Sequence, residues 1–391
     1  MSQLTSLVSA AYAAGASDLH IEPGLPPAFR VDGRLTIQKQ PPLSPEATRA
    51  MAREAGGPAW EQFAEHRSLD LSRKLAGVRC RINVLQSRRG LGLAVRLLRP
   101  NVATLDALNL HPSLAELAAL PHGLVLVSGP TGSGKSSTIA ALIQEINTTR
   151  AAHVLTLEQP VEYWQRPQRA FIRQREVGRD TPSFEQGLVD ALREDPDVIV
   201  VGEMRRPETM RLTLDAAETG HLVFTTVHAS TVSEALHRII SAFPAEARDG
   251  VRAQLAGAMA AVVCQTLTFR PDLGIRVPTC AILRANDAAR ASIRQGTLTQ
   301  IPTILETGAN HGSWTAERYG RWLEARKRFH VPSRTAPGGS DDVPAPVEPL
   351  PTPRRRTKPS VVPPPAAGAP VFVLDEEPAD SAAILSELLK G

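Results

Sequence analysis

Leu124-Val-Leu-Val-Ser-Gly-Pro-Thr-Gly-Ser-Gly-Lys-Ser-Ser-Thr-Ile-Ala-Ala-Leu-Ile-Gln-Glu-Ile-Asn147 decides the fold. Its first part, Leu124 to Ser128, is a short apolar run of buried-strand length, and from Ser137 to Asn147 the apolar residues recur at helical spacing. Between them Gly129, Pro130, Thr131, Gly132, Ser133, Gly134, Lys135, Ser136 and Ser137 make a glycine-rich turn that fits G-x-x-x-x-G-K-[ST]. Glycines let backbone N–H groups curl around phosphate oxygens. Lys135, expected to face solvent, reaches the outer phosphates, and the Ser136 hydroxyl ligates magnesium. ATP and Mg2+ are therefore the expected ligands. A glycine-rich turn without a ligand is the competing reading, and the strand before it and helix after it argue against that.

Working outward, the runs Val154 to Leu157, Val198 to Val201 and Leu222 to Val227 are equally apolar and alternate with helical patterns. Continuous apolar strands separated by helices predict a parallel sheet covered on both faces. Later helices are expected over about Leu236 to Phe243, Val251 to Leu267 and Ala288 to Arg294, with order ending near His330. Before Pro100, alternating runs such as Ala28 to Asp32 and Val78 to Val84 predict a small sheet-and-helix domain. Beyond Val331 the composition shifts: thirteen prolines between Pro332 and Pro378, with Gly338-Gly339 and Arg354-Arg355-Arg356, predict a disordered tail. Within it, Ser381 to Lys390 has the spacing of a helix that folds against a partner, a solvated fraying helix being the simpler alternative.

Hydrolysis needs an acid near the phosphates. Asp197-Val-Ile-Val-Val-Gly-Glu203 is a strand ending in Gly-Glu, which puts Glu203 at the carboxyl edge of the sheet as a magnesium-side or water-ordering acid. Glu158-Gln-Pro-Val-Glu162 follows another strand to the same edge, with Glu162 as the general-base candidate. His221 and His228 bracket the run Leu222 to Val227, and both are expected at the loop edge to sense the terminal phosphate or pair with a carboxylate. A strand-end glutamate and two packed histidines are the bland alternatives. Neither histidine has a third ligand at metal spacing.

The 391 residues, 42% hydrophobic and 21% charged, suffice for about two ordinary domains. A net charge of +4 is spread among interspersed Lys, Arg, Asp and Glu, so no nucleic-acid partner is expected. Cys80, Cys264 and Cys280 lack Cys-x-x-Cys spacing, which speaks for buried thiols in a reducing compartment. No run of about 18 apolar residues and no signal-peptide pattern occurs, so a cytosolic protein is expected.

Joined to the loop, Ala16-Ser-Asp-Leu-His20, Arg30-Val-Asp-Gly-Arg34, the Glu158 to Glu162 turn, Gly202-Glu-Met-Arg205 and Thr219-Gly-His221 to His228 resemble the secretion-superfamily ATPases, and among them the PilT-like pilus-retraction (twitching-motility) family. The resemblance runs from about Ala16 to Leu323, and Ala288 to Gln295 loosely matches a later family element. It implies an α/β architecture: a PAS-like N-terminal domain over 1–100, a RecA-like P-loop NTPase domain over 101–330 with a mainly parallel sheet, and the disordered Pro-rich tail over 331–391. It further implies a homohexameric ATP-hydrolysing motor with ATP between the two domains. The arginine-rich run Gly77-Val-Arg79-Cys-Arg81-Ile-Asn83, followed by Arg89 and Arg96, matches the arginines that the family directs at the phosphates, ordinary exposed strand arginines being the alternative. The implied place of work is the cytoplasmic face of the inner membrane, on a pilus platform protein, with a paralogous pilus ATPase as a further partner. An N-terminal match that begins almost at the first residue, and the lack of a four-cysteine insertion, favour retraction over pilus assembly or type II secretion. Two features depart from the family. Position 159 is Gln where the family has Asp, and the tail is long. Gln159 motivates the alternative of an accessory ring subunit that binds ATP but turns over slowly. A DNA translocase on the same core would need a basic stripe or an added DNA-binding module, and neither is seen.

Overall fold

The computed structural model describes residues 1–331 apart from 32, 62, 64–66 and 99–101. The expected tail, its terminal helix included, lies outside the described residues from 332 onward.

The N-terminal sheet contains β1 (Asp18–Ile21), β2 (Ala28–Val31), β3 (Arg34–Ile37), β4 (Ser68–Leu75), β5 (Val78–Ser87) and β6 (Gly90–Leu97), in the order β3-β2-β1-β6-β5-β4. Its strand pairs are antiparallel. The pleat sends alternate side chains to opposite faces. Val78, Cys80, Ile82 and Val84 of β5 are accordingly buried, while Arg79, Arg81 and Asn83 face outward. The buried face packs with the helices Gln3–Ala13 and Pro45–Gly56 into one apolar core. Ser44 caps the second helix, its hydroxyl accepting the Ala47 N–H at 3.1 Å, and Pro45 supplies a preset first turn.

The second sheet is built from β7 (Gly123–Ser128), β8 (His153–Glu158), β9 (Phe171–Glu176), β10 (Val198–Val201), β11 (Leu222–Val227), β12 (Met259–Arg270) and β13 (Ile275–Arg284), ordered β13-β12-β7-β11-β10-β8-β9. Every pair is parallel except β12 with β13. Leu124 and Leu126 point into a core shared with the helices Phe184–Ala191, Pro207–Glu218, Val232–Ser241 and Arg248–Ala258. Val125 and Val127 point into the opposite core, with the helices Lys135–Thr149 and Ala316–Ala325. Burial on both faces is why these strands read as unbroken apolar runs.

One expectation is corrected. Val251 to Leu267 is not a single helix: the helix stops at Ala258, and Met259–Arg270 forms β12, parallel to β7. Periodicity cannot separate a buried strand from a buried helix. A neighbouring strand with an open edge decides.

The C-terminal part of the described chain is tied down. Trp314 and Ile282 exchange backbone hydrogen bonds of 2.8 Å, and Tyr319 is fully buried with its hydroxyl accepting the His111 N–H at 2.8 Å. The Asn109 side chain holds both backbone groups of His330, at 2.8 and 2.9 Å. Among the described residues, no helix is long and apolar enough to cross a membrane.

Candidate nucleotide-binding site

Parallel strands bring their carboxyl ends to one edge of the sheet. In register, Ser128 of β7 lies beside Val227 of β11, and Val201 of β10 lies between Thr225 and Leu157 of β8. The phosphate loop, His228, Glu203 and the Glu158 to Glu162 turn leave these four strands side by side. His221 does not join them, contrary to expectation. It precedes β11 at the amino edge, where its carbonyl accepts the Gly123 N–H at 2.9 Å. Six strand residues, roughly 20 Å of extended chain, separate it from the loop edge. Its Nδ1 lies 2.9 Å from the Ala216 carbonyl and 3.2 Å from the Thr219 hydroxyl, a local role.

The loop enters the helix through Gly134 at φ 87°, and Gly129 and Gly132 also have positive φ, 148° and 78°. Lys135 is buried rather than solvent-facing, only 8% exposed, because its ammonium folds back onto its own loop. Nζ donates to the carbonyls of Gly129 at 2.9 Å and Pro130 at 3.0 Å and lies 3.4 Å from His228 Nδ1. Burial pulls the Lys135 ammonium below its usual range, with Glu203 and Glu162 opposing. An ammonium has no lone pair to offer, so Nδ1 faces it as an acceptor and the imidazole proton sits on Nε2. That nitrogen is 3.4 Å from Glu203 Oε1, while Oε2 pairs with Arg205 at 2.8 Å. Burial and the Lys135 charge hold His228 below its ordinary value, which keeps it neutral. Lysine, imidazole and carboxylate are thus in sequential contact, and the imidazole and carboxylate line a cleft of about 460 Å³ together with Thr131, Met204, Arg205 and Arg238.

On the β8 side, the Glu158 carboxylate accepts from the Thr156 hydroxyl at 2.8 Å, Gln174 Nε2 at 3.2 Å and the Glu162 N–H at 3.3 Å. Burial pushes its carboxyl above the usual range. Glu158 therefore braces the turn, and the half-buried Glu162 is left as the acid free for chemistry. Gln159 is exposed on the same turn. For Mg2+, the exposed Ser136 hydroxyl and the Glu203 carboxylate are hard oxygen donors, Glu203 lining the cleft and Ser136 a smaller pocket with Glu158 and Tyr163. Among the described residues no cluster of three His, Cys, Asp or Glu side chains could hold a metal by itself. That fits an ion held mainly by phosphate oxygens and water, with one or two protein oxygens.

Arg81 pairs with Asp70 at 3.3 Å, Arg96 with Asp18 at 3.1 Å, and Arg89 lies exposed on the β5–β6 turn beside Gly24. All these partners belong to the N-terminal sheet. Among the described residues of the arginine-rich run, Arg79 reaches the turn after β8, where it donates to the carbonyls of Val161 and Glu162 and lies over the Trp164 ring, 5.5 Å from its centroid. Tyr163, Arg238 and Gln265 belong to no motif of the sequence. The Tyr163 hydroxyl lies 2.6 Å from Ser137 Oγ, and the Arg238 guanidinium donates to the His228 carbonyl at 3.0 Å. Gln265 of β12 bonds the loop from beneath. A polar residue inside the apolar run Val262-Val-Cys-Gln-Thr-Leu267 was the available signal for Gln265.

Residues 1–298 match the family described as type II/IV secretion system protein. The chain belongs to that family. This secretion-family chain is 39% identical to the type IV pilus retraction ATPase PilT of Pseudomonas aeruginosa, over 83% of this chain and 94% of that one. It is 40% identical to a twitching motility protein of Neisseria gonorrhoeae, over 75% and 79% of the two chains. The type IV pilus ATPase PilU of Pseudomonas aeruginosa is 36% identical, over 78% and 80%. Among solved structures, the pilus retraction motor PilT with bound ADP superposes with a TM-score of 0.72 at 38% identity, covering 84% of this chain and 98% of that one. The Legionella pneumophila ATPase DotB gives 0.66 at 27% identity, covering 82% and 95%. The PilT-like resemblance and the α/β, mainly parallel architecture read from the motifs of this secretion-family chain agree with these findings.

Proposed function

We propose that this chain is an ATPase motor of type IV pilus retraction, working as a homohexamer with Mg2+ and ATP at the Gly129 to Ser137 loop. The observation that carries the chemistry is the line from Lys135 through His228 to Glu203 beside the loop. When bound, Mg2+ neutralises charge on the phosphates. Lys135 turns from its own carbonyls to the outer phosphates. Glu162 takes the proton of the attacking water, and Glu203 orients that water or the ion's shell. His228, touching both Lys135 and Glu203, reports the state of the terminal phosphate to β11. Arg81 and Arg96, paired with Asp70 and Asp18 rather than with their own loop, act with Arg89 on the phosphates bound by the neighbouring subunit.

The similarity to PilT, to a twitching motility protein and to PilU supports retraction. With it goes a location at the cytoplasmic face of the inner membrane, a platform protein as the surface worked upon, and a paralogous pilus ATPase as co-partner. Deleting the gene and counting surface pili tests the reading: excess filaments with lost motility support it, and unchanged filaments and motility refute it. The exposed Gln159 favours one second reading, an accessory ring subunit of low turnover. Single-turnover hydrolysis separates the two, and Gln159→Asp tests what the missing charge does. A higher turnover at similar ATP affinity marks a motor slowed by the missing charge, whereas weaker ATP binding without a gain in rate marks a site adapted to the amide.

A further inference from the structure

Gln265 sits on β12, in register with Cys280 of β13, and is 2% exposed. Its amide faces two close partners with opposite demands, and the Cys280 thiol adds a weaker contact to Oε1 at 3.9 Å. Nε2 donates to the Ser133 carbonyl at 2.7 Å, and Oε1 accepts the Thr138 hydroxyl at 2.7 Å. Only a primary amide presents a donor and an acceptor side by side on one terminus at neutral pH. The same residue crowds the loop with its backbone. A Cβ placed on Gly129 would lie 2.2 Å from the Gln265 carbonyl oxygen, and one on Gly134 would lie 2.9 Å from Nε2. Two of the motif glycines are thus required by the approach of β12, as well as by their positive φ.

In a trans peptide the C=O and the next N–H point in opposite directions. Holding the Ser133 carbonyl down onto Gln265 therefore turns the Gly134 N–H away from β12. We propose that Gln265 is a positioning residue for nucleotide binding: through Ser133 it aims the Gly134 N–H into the phosphate cradle, and through Thr138 it locks the first turn of the helix beneath that cradle. Gln265 does not touch the nucleotide. It acts by setting the direction of a backbone donor that does. This inference rests on the reading of the loop as an ATP site.

The test uses the full chain and a fluorescent ATP analogue, with binding and steady-state hydrolysis measured alongside thermal unfolding. Gln265→Leu keeps the bulk and removes both bonds. Gln265→Met keeps the unbranched length and likewise removes both bonds. Thr138→Val removes only the second bond. The expected result is a loss of affinity of about 10- to 100-fold in both Gln265 variants, the scale of one misdirected donor to a charged oxygen, with KM raised and kcat changed less. Thr138→Val should lose about threefold or less, and adding it to Gln265→Leu should cause no further loss, since both act through one amide. If Gln265→Leu does not fold, Gln265→Met decides. Either variant binding ATP as the wild type does, even with a lowered Tm, overturns the positioning role and leaves a core residue. A wild type that binds no nucleotide overturns the ATP-site reading itself.

Discussion

Replacing Glu203 by Gln removes one negative charge from the mouth of the cleft and leaves the side-chain volume intact. Two contacts change. The pair with Arg205 involves a guanidinium side chain that is 76% exposed, so its loss costs only about 0–1 kcal/mol. The other contact is to His228 Nε2 at 3.4 Å, where a Gln carbonyl can still accept. The fold should therefore hold, with Tm falling by no more than roughly 4 °C on the usual scaling for domains of this size. Under the proposed role chemistry has no such substitute, because a carboxylate that orients the water or the ion has no equal in an amide. Turnover should fall by about 100- to 1,000-fold, equivalent to about 2.7–4 kcal/mol of transition-state stabilisation. Phosphate release under saturating Mg-ATP measures the rate, and titration with the fluorescent analogue measures affinity, which should stay within about threefold because Lys135 and the loop are untouched. Turnover within threefold of the wild type would refute the assignment of Glu203. Loss of rate accompanied by a collapse of Tm would instead make Glu203 a structural residue.

Arg79→Ala should destabilise the protein by about 1–3 kcal/mol in denaturant unfolding, by freeing the carbonyls of Val161 and Glu162, and should also lower turnover by loosening the turn that carries Glu162. Arg81→Ala should cost about 0–1 kcal/mol, since its partner Asp70 is exposed, and partial recovery of ATPase activity on mixing it with Lys135→Ala would reveal action between subunits. A chain ending at Val331 should match the full chain in Tm and ATPase rate, within about 0.5 kcal/mol. A chain ending at Gly312 loses the buried Tyr319 and Leu323 and should be destabilised by at least about 4 kcal/mol. His111 is held below its ordinary value of 6.5 by burial first and Arg318 second, so folding favours the neutral ring. Its contribution is complete above 6.5 and is lost as pH falls through the lower folded value. The Tm difference between wild type and His111→Gln should therefore shrink on acidification, and a constant difference would refute it.

The sequence by itself determined the phosphate loop and the strands on which it depends. Leu124 to Ser128, Val154 to Leu157, Val198 to Val201 and Leu222 to Val227 are strands in the structure, because strands buried on both faces must be apolar throughout. Glu162, Glu203 and His228 were legible for the same reason: in a parallel sheet a residue just past a strand's carboxyl end has only one edge to occupy. His221 failed that logic because it precedes its strand, and strand direction sends it to the far edge. The tertiary structure alone decided β12, where the run Met259 to Leu267 carries no mark distinguishing strand from helix until β7 offers it an unpaired edge. Gln265 became visible with it, since its bonds to Ser133 and Thr138 span more than a hundred residues of chain. The same holds for Arg79 and Arg81. They are alike in sequence, both on the outward face of β5, and only the approach of the turn after β8 gives Arg79 the carbonyls of Val161 and Glu162 while Arg81 stays with Asp70.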